Sequence, residues 1–431
     1  MTAGNERALA RNRALLVIEY ALFGAAMAML GPTVIMPELV RQLGGSPLLV
    51  GSIGAIQAGG WLLPQLIAGR MVAGRPRVKP YVIIPLAVSR VGMALMVPAL
   101  ALFGSRRPDL ALVGLLLGFT VFNVGDALGS VGWTDLFGKA VPLERRGRIT
   151  GIAEALASVA SFGVGAVVVA VLGRPVAFPG NYVLLLALSA AGFGVSLLTL
   201  QLLVEPEGSA QVGPRPSWRA YLPQLASIVR RDARFLWLLG ARWLAGLSDM
   251  GAGFYVLFAV DRLHLPTEVT GLFISASVVG SFVGALVLGP VADRLGAGRV
   301  IAVSTGLRVV RPLLALAAPL VAPWYPWAGA GLFLFLFALG GVAGGGYMIG
   351  FMNYLLEIAP AAERATYVAL ANTLEGVVVV APLVAGWIVK VGSYEPLLWL
   401  TFVLGLAGFG VCLRQPRHVP AAAIEGSGRG S

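Results

Sequence analysis

The chain has 431 residues, of which 58% are hydrophobic and 12% charged, and a formal net charge of +12. Soluble domains carry about a quarter charged residues and under half apolar ones. This composition, with a mean hydropathy of +0.84, therefore excludes a soluble globular protein and indicates a polytopic membrane protein. In a soluble chain the positive excess would suggest a nucleic-acid partner. Here it reads as a marker of topology, and no nucleic acid is expected.

About twelve apolar stretches of roughly 20–25 residues follow one another, each long enough to cross a bilayer as a helix. They are too long, and too little alternating, to be barrel strands. Predicted helix 1 runs from about Leu15 to Glu38 and carries Glu19. Helix 2 runs from about Leu48 to Gly69, with Gln57, Trp61 and Gln65, and a basic loop from Arg70 to Lys79 follows. Helix 3 holds Arg90, and helix 4 holds Asn123, Asp126 and Asp135. The next loop contains Glu144, Arg145 and Arg146; helix 5 carries Glu154, and helix 6 ends near Val204.

Between Glu205 and Arg234 the composition turns polar, with Gly208, Gly213, Pro214 and Pro216, which predicts a linker. Helix 7 then carries Arg242 and Asp249, and helix 9 carries Arg308 and Arg311. The run Trp324-Tyr325-Pro326-Trp327 reads as an interfacial aromatic anchor. Helix 10 is rich in glycine, which predicts close packing, and ends at Asn353, Tyr354 and Glu357. Glu363 and Arg364 lie in the following loop, and helix 11 holds Asn372, Glu375 and Pro382. The second half repeats the first: Gly51 matches Gly271, Gly69 matches Gly289, and Pro142 with Arg146 matches Pro360 with Arg364. The expected organisation is a bundle over 1–204, a linker over 205–234, and a second bundle with a tail over 235–431.

With odd-numbered helices running outward, the outer loops hold only Arg41, Arg106, Arg107, Arg174, Arg262 and Lys390. All other loop and tail arginines and lysines fall inside, which places both termini in the cytoplasm. Arg106 and Arg107 run against the bias. The single cysteine, Cys412, allows no intrachain disulfide. The N-terminal apolar run is too long for a cleavable signal, and the resulting expectation is a multi-pass protein of a bacterial inner membrane.

The stretch after helix 8 reads Gly289-Pro290-Val291-Ala292-Asp293-Arg294-Leu295-Gly296-Ala297-Gly298-Arg299. Gly289, Asp293, Arg294, Gly296 and Arg299 resemble the loop signature of the major facilitator superfamily of secondary transporters. The parallel repeat of two six-helix halves is similar to that family as well. The first-half counterpart carries Ala73 where the second carries Asp293, and helix 5 lacks proline, both unlike the family's drug–proton antiporters. The resemblance implies an all-α membrane protein with twelve transmembrane helices in two pseudo-repeated bundles, working as a monomer by alternating access. It also implies that helices 1, 4, 7 and 10 line the central cavity.

Ionisable residues inside a membrane are costly and usually face a partner or a wet cavity. Arg242 and Asp249 are seven residues apart and share a face of helix 7, with Asp249 near the midplane. They read as a substrate or proton site, against the alternative of structural pairing. Arg90 and Asp126 sit at one depth and predict a pair. Asp126, beside Asn123, is a protonation site if Arg90 points elsewhere. Arg308 shares a depth with Glu375, and Asn372 lies one turn from Glu375. Glu19 and Glu154 are expected to pair with loop arginines. Asp135, Glu144, Glu357 and Glu363 are expected to bridge to Arg145, Arg146, Arg294 and Arg364 as a cytoplasmic gate. Gln57, Trp61, Gln65, Tyr255 and Asn353 are interhelical contacts or cavity-lining groups.

No metal site or cofactor is expected, and no phosphate-binding loop is present. The predicted function is efflux of an amphipathic or drug-like small molecule driven by protons across the lipid bilayer. Uptake or facilitated diffusion of a small solute is the alternative. A membrane enzyme is disfavoured by the lack of membrane histidines and cysteine clusters, and a non-transporting sensor on the same fold is the remaining rival.

Overall fold

A backbone crossing hydrocarbon has only its own carbonyls to bond, so long apolar runs fold as helices. The computed structural model describes residues 3–72, 75–141, 143–174, 178–205, 227–360 and 364–414, and among them no strand forms. The first half contains α1 (Ala3–Leu30), α2 (Ile35–Gln42), α3 (Pro47–Leu62), α4 (Gln65–Val72), α5 (Lys79–Phe103), α6 (Pro108–Ala140), α7 (Leu143–Leu172) and α8 (Gly180–Leu202). The second contains α9 (Ala233–Ser248), α10 (Phe254–Leu263), α11 (Val269–Leu295), α12 (Ala297–Val321), α13 (Pro326–Ile358), α14 (Arg364–Glu375), a 3-10 turn (Gly376–Val380), α15 (Ala381–Val391) and α16 (Tyr394–Leu413). The described residues make eleven stretches long and apolar enough to cross a membrane, α1–α2, α3–α4 and α14–α15 each counting as one.

Four runs are interrupted, each at an identifiable cause. Gly31, at φ +53°, turns the chain between α1 and α2, and Pro32 follows it. Pro64 separates α3 from α4. The run Asp249–Gly253 separates α9 from α10, and the spacing from Gly31 to Gly251 is the one that relates Gly51 to Gly271. The 3-10 turn before Pro382 interrupts the segment from α14 to α15.

Within the first half α1 packs on α7 and α8, and α5 on α6; within the second α13 packs on α11 and α12, and α9 and α12 on α16. The halves meet along two seams, α3 with α15 and α7 with α11. Small residues set both. A Cβ on Gly51 would strike the Pro382 carbonyl, and one on Gly386 the Pro47 carbonyl. On the other seam Gly165 and Gly271 lie backbone to backbone, each leaving no room for a side chain on its partner. The glycines of α13 serve packing too: Gly341 touches the Ser277 carbonyl of α11.

One face of the molecule carries the start of α1 and the end of α8, joined by Asn12 Nδ2 to Val204 O at 2.7 Å and Val204 N to Asn12 Oδ1 at 3.1 Å. We call it the linker face; residues 206–226 of the expected linker lie outside the described residues. Glu205 closes it, accepting the Val78 and Lys79 amides at 2.8 and 3.0 Å and the Lys139 ammonium at 3.1 Å. Burial acts to raise the Glu205 pKa, but these donors outweigh it and hold the carboxyl below its ordinary value. At the opposite, far face Trp324, Tyr325 and Trp327 are exposed between α12 and α13. Arg107, against the charge bias, pairs with its own Asp109 at 3.2 Å.

Candidate functional site

Asp232 caps α9, accepting the Arg234 and Phe235 amides at 3.0 and 3.1 Å. The helix ends two turns after Arg242, and Asp249 is its C-terminal cap residue. Unwinding there turns the Asp249 carboxylate sideways toward α12. Arg308 and Arg311, three apart on one face of α12, take one oxygen each: Arg308 at 2.8 Å on Oδ2, Arg311 at 2.6 Å on Oδ1.

Arg242 reaches the other way, to Glu375 at the end of α14. The Tyr347 hydroxyl of α13 donates to the second Glu375 oxygen. Asn372 accepts from Arg242 at 3.2 Å and donates to Gln65 Oε1 of the first half at 3.2 Å. The Arg308 guanidinium stacks over Tyr347 at 5.2 Å, so the two ion pairs share one aromatic wall. Arg311 stacks over Tyr255 at 4.9 Å.

This cluster opens on a cavity of about 300 Å³ between the halves. Asp249, Arg308, Tyr347 and Glu375 form its charged side; Pro32, Val50, Gly54, Ala58 and Leu62, with Gln57, form the facing wall. Pro37, Gly51, Phe254 and Pro382 line its far-face end, where the glycine seams are tightest.

The first half holds a separate cluster. Arg90 meets Asp126 at 2.7 Å and Ser89 Oγ at 3.0 Å, under the rings of Phe23, Phe122 and Phe193. Glu19, 4% exposed, accepts from the Trp133 indole N–H and the Ser196 hydroxyl, both at 3.1 Å. Asn123 is turned onto its own helix, donating to Phe119 O at 2.7 Å.

Several sequence expectations are corrected by these contacts. Arg308 faces Asp249 and not Glu375, because the break after α9 rotates Asp249 toward α12. Glu19 has no loop arginine: α1, α6 and α8 enclose it far inside the span. Glu154 hydrogen-bonds Tyr20. At the linker face Arg146 caps its own loop, donating to Gly138 O at 2.6 Å and Val141 O at 3.1 Å. Asp135 pairs with Lys139 of the next helical turn at 3.1 Å. Arg145 and Glu357 are exposed, as are Asp293, Arg294, Gly296 and Arg299, with Gly289 open at that face. Glu363 lies outside the described residues, as do the side chains of Glu144 and Arg364.

An ion pair joins the halves at the far face, in segments read from sequence as loops or helix ends. Arg41 of α2 meets Asp261 of α10 at 3.2 Å. Buried Glu38 fixes Arg41 from behind, with bonds of 2.8 and 2.7 Å. Tyr394 donates to Asp261 at 2.6 Å. Gln42 bonds Glu38 at 2.9 Å and Tyr182 at 3.2 Å. The spacing of Glu38, Arg41 and Gln42, three and four apart, was the available signal.

Residues 238–430 match the family model described as Major Facilitator Superfamily. Among solved structures, a mutant of the nucleoside transporter NupG superposes with a TM-score of 0.69 at 13% identity, covering 95% of this chain and 100% of that one. A bacterial homologue of the iron transporter ferroportin in its inward-facing state gives 0.70 at 16% identity, covering 94% and 98%. The same homologue facing outward gives 0.59 at 16%, covering 94% and 98%. No curated protein matches the sequence. At these identities the structural likeness is one of fold.

Proposed function

We propose, from a chain of the major facilitator fold whose second half matches that family's model, a secondary transporter that moves a small molecule by alternating access. The broken segment α9–α10 is taken as a twelfth span beside the other eleven. Two six-helix bundles, 1–204 and 235–431, then flank the linker 205–234. The excess of basic residues on the linker face supports a topology with that face and both termini in the cytoplasm of a bacterial inner membrane. In this orientation the glycine seams and the Arg41–Asp261 pair close the outer side, and the molecule faces inward. Its backbone is correspondingly nearer the inward-facing ferroportin homologue, TM-score 0.70, than the outward-facing one, 0.59.

The observation that carries the reading is the position of the charged cavity. It lies between the halves, at the unwound end of α9, where rocking of one half on the other exposes it to either side in turn. The apolar wall facing the charged side suits an amphipathic molecule, and export driven by proton entry is the direction we favour; uptake is the alternative.

For proton coupling, Glu19 is the better candidate than Asp249. Both Asp249 oxygens are held by guanidinium groups, as suits a structural counter-ion. Glu19 is held by neutral donors, and the Ser196 hydroxyl can turn from donor to acceptor when the carboxyl gains a proton. The test is flux in liposomes reconstituted with the purified chain under an imposed pH gradient. Compound-dependent collapse of the gradient is expected, with Glu19→Gln still exchanging compound but moving no protons. Proton movement unchanged in Glu19→Gln would sink the assignment; no flux of any compound would sink the transporter reading.

A further inference from the structure

The unmet hydrogen-bonding capacity of the cavity cluster is all of one kind. Asp249 and Glu375 have both oxygens engaged. The guanidinium groups are not exhausted: buried Arg308 and Arg311, 8% and 7% exposed, each keep an Nε–H with no partner. These Nε atoms are enclosed by protein, so they mark a cluster short of acceptors and are not themselves contacts for a ligand. Charge points the same way. Three guanidinium groups, Arg242, Arg308 and Arg311, stand against two carboxylates. An uncompensated cation in a low-dielectric site is expensive unless a counter-ion completes it.

Arg308 is the member of the excess that lines the cavity. Its planar fork matches a carboxylate in shape as well as charge. The opposite wall is apolar but for Gln57 and Thr33, and the volume of about 300 Å³ is at the small end for ligand pockets. We propose that the cavity binds a small monoanionic amphiphile, its carboxylate on Arg308 beside Tyr347 and its apolar body against α3. The proposal rests on the transporter reading only in taking this cavity as the substrate site.

The experiment is equilibrium binding to the full chain in lipid nanodiscs, with empty nanodiscs as the partition control. The probes are 4-phenylbutyrate and octanoate, each beside its isosteric primary amide and amine. At least one carboxylate should bind saturably, about tenfold or more tighter than its amide and amine. Arg308→Gln should lose that preference, and Arg308→Lys should keep part of it. Amine binding as tight as carboxylate binding, no saturable carboxylate binding, or an unchanged preference in a folded Arg308→Gln protein would each overturn the proposal. The wild-type series decides the question even where Arg308→Gln does not fold. Amine flux in liposomes without carboxylate binding would overturn this site and leave the transporter. Saturable carboxylate binding without flux would do the reverse.

Discussion

Replacing Asp261 by Asn removes the acceptor that two far-face groups share, Arg41 at 3.2 Å and Tyr394 at 2.6 Å. Arg41 and Asp261 are each 33% exposed, so the ion pair is worth little, about 0.2–1 kcal/mol as for exposed pairs. The Tyr394 bond to a charged acceptor adds about 1.5 kcal/mol, the low end for such bonds, because water still reaches the site. Together they bias the closed far face by about 2 kcal/mol. Asn keeps a weaker acceptor, so the substitution should cost about 1–1.5 kcal/mol, or roughly a tenfold rise in the fraction of molecules open at that face. The readout is a single cysteine at Ala58, on the cavity wall, in a Cys412→Ala background. Its rate of labelling by a membrane-impermeant maleimide applied from the far side should rise about tenfold in Asp261→Asn. Asp109→Asn, which breaks a pair 62% exposed on both partners, should leave the rate alone. An unchanged rate in Asp261→Asn, or a rise matched by Asp109→Asn, would refute the far-face lock.

Asp249→Asn leaves buried Arg308 and Arg311 sharing a neutral acceptor; with Asp249 itself 34% exposed to the cavity, the loss is about 1.5–3 kcal/mol, as for hydrogen bonds to a charged group. It should lower the melting temperature in detergent well below that of Glu19→Gln, measured by size-exclusion recovery after heating. Gly271→Val should wedge the α7–α11 seam apart at Gly165, so that the Ala58 cysteine labels from the far side even with Asp261 intact. For Glu205 the folded-state pKa is depressed, so its stabilisation is fully present above the ordinary value of 4.5 and lost as pH falls through the lower folded-state value. Glu205→Gln should therefore lower stability at neutral pH and flatten its decline on the acid side of 4.5, followed by thermal unfolding across that window.

Eleven of the twelve expected spans were legible because length and hydropathy decide them; the one read as helix 7 is broken into helices of 16 and 10 residues. Arg90 and Asp126 could be matched because one acid and one base share a depth on adjacent helices. The second half defeats the same reasoning. Depth along a helix is readable from sequence, but the direction a side chain faces is not once the helix breaks. Arg242, Asp249, Arg308, Arg311 and Glu375 lie within about two helical turns of depth on three segments, α9, α12 and α14, which permits several pairings. The unwound turn Asp249–Gly253 chooses among them by sending Asp249 toward α12, leaving Glu375 to Arg242. The far-face lock was hidden for another reason: Arg41 and Asp261 lie at helix ends, where sequence reasoning expects solvated charge.

The two halves repeat in fold but not in charge. In the second half, arginines outnumber acids around the cavity and keep spare donors. In the first, Glu19 stands on neutral donors and Arg90 is matched by Asp126, so acids outnumber the one arginine, although Arg90 too keeps an unpaired Nε. As proposed above, anion recognition falls to one half and proton exchange to the other. Coupling then needs a physical link between halves that changes as they rock. The Gln65–Asn372 bond is placed for it, since Asn372 also holds Arg242 and lies one turn from Glu375. Separating α4 from α14 breaks that bond and takes from the Arg242–Glu375 pair its support from the first half.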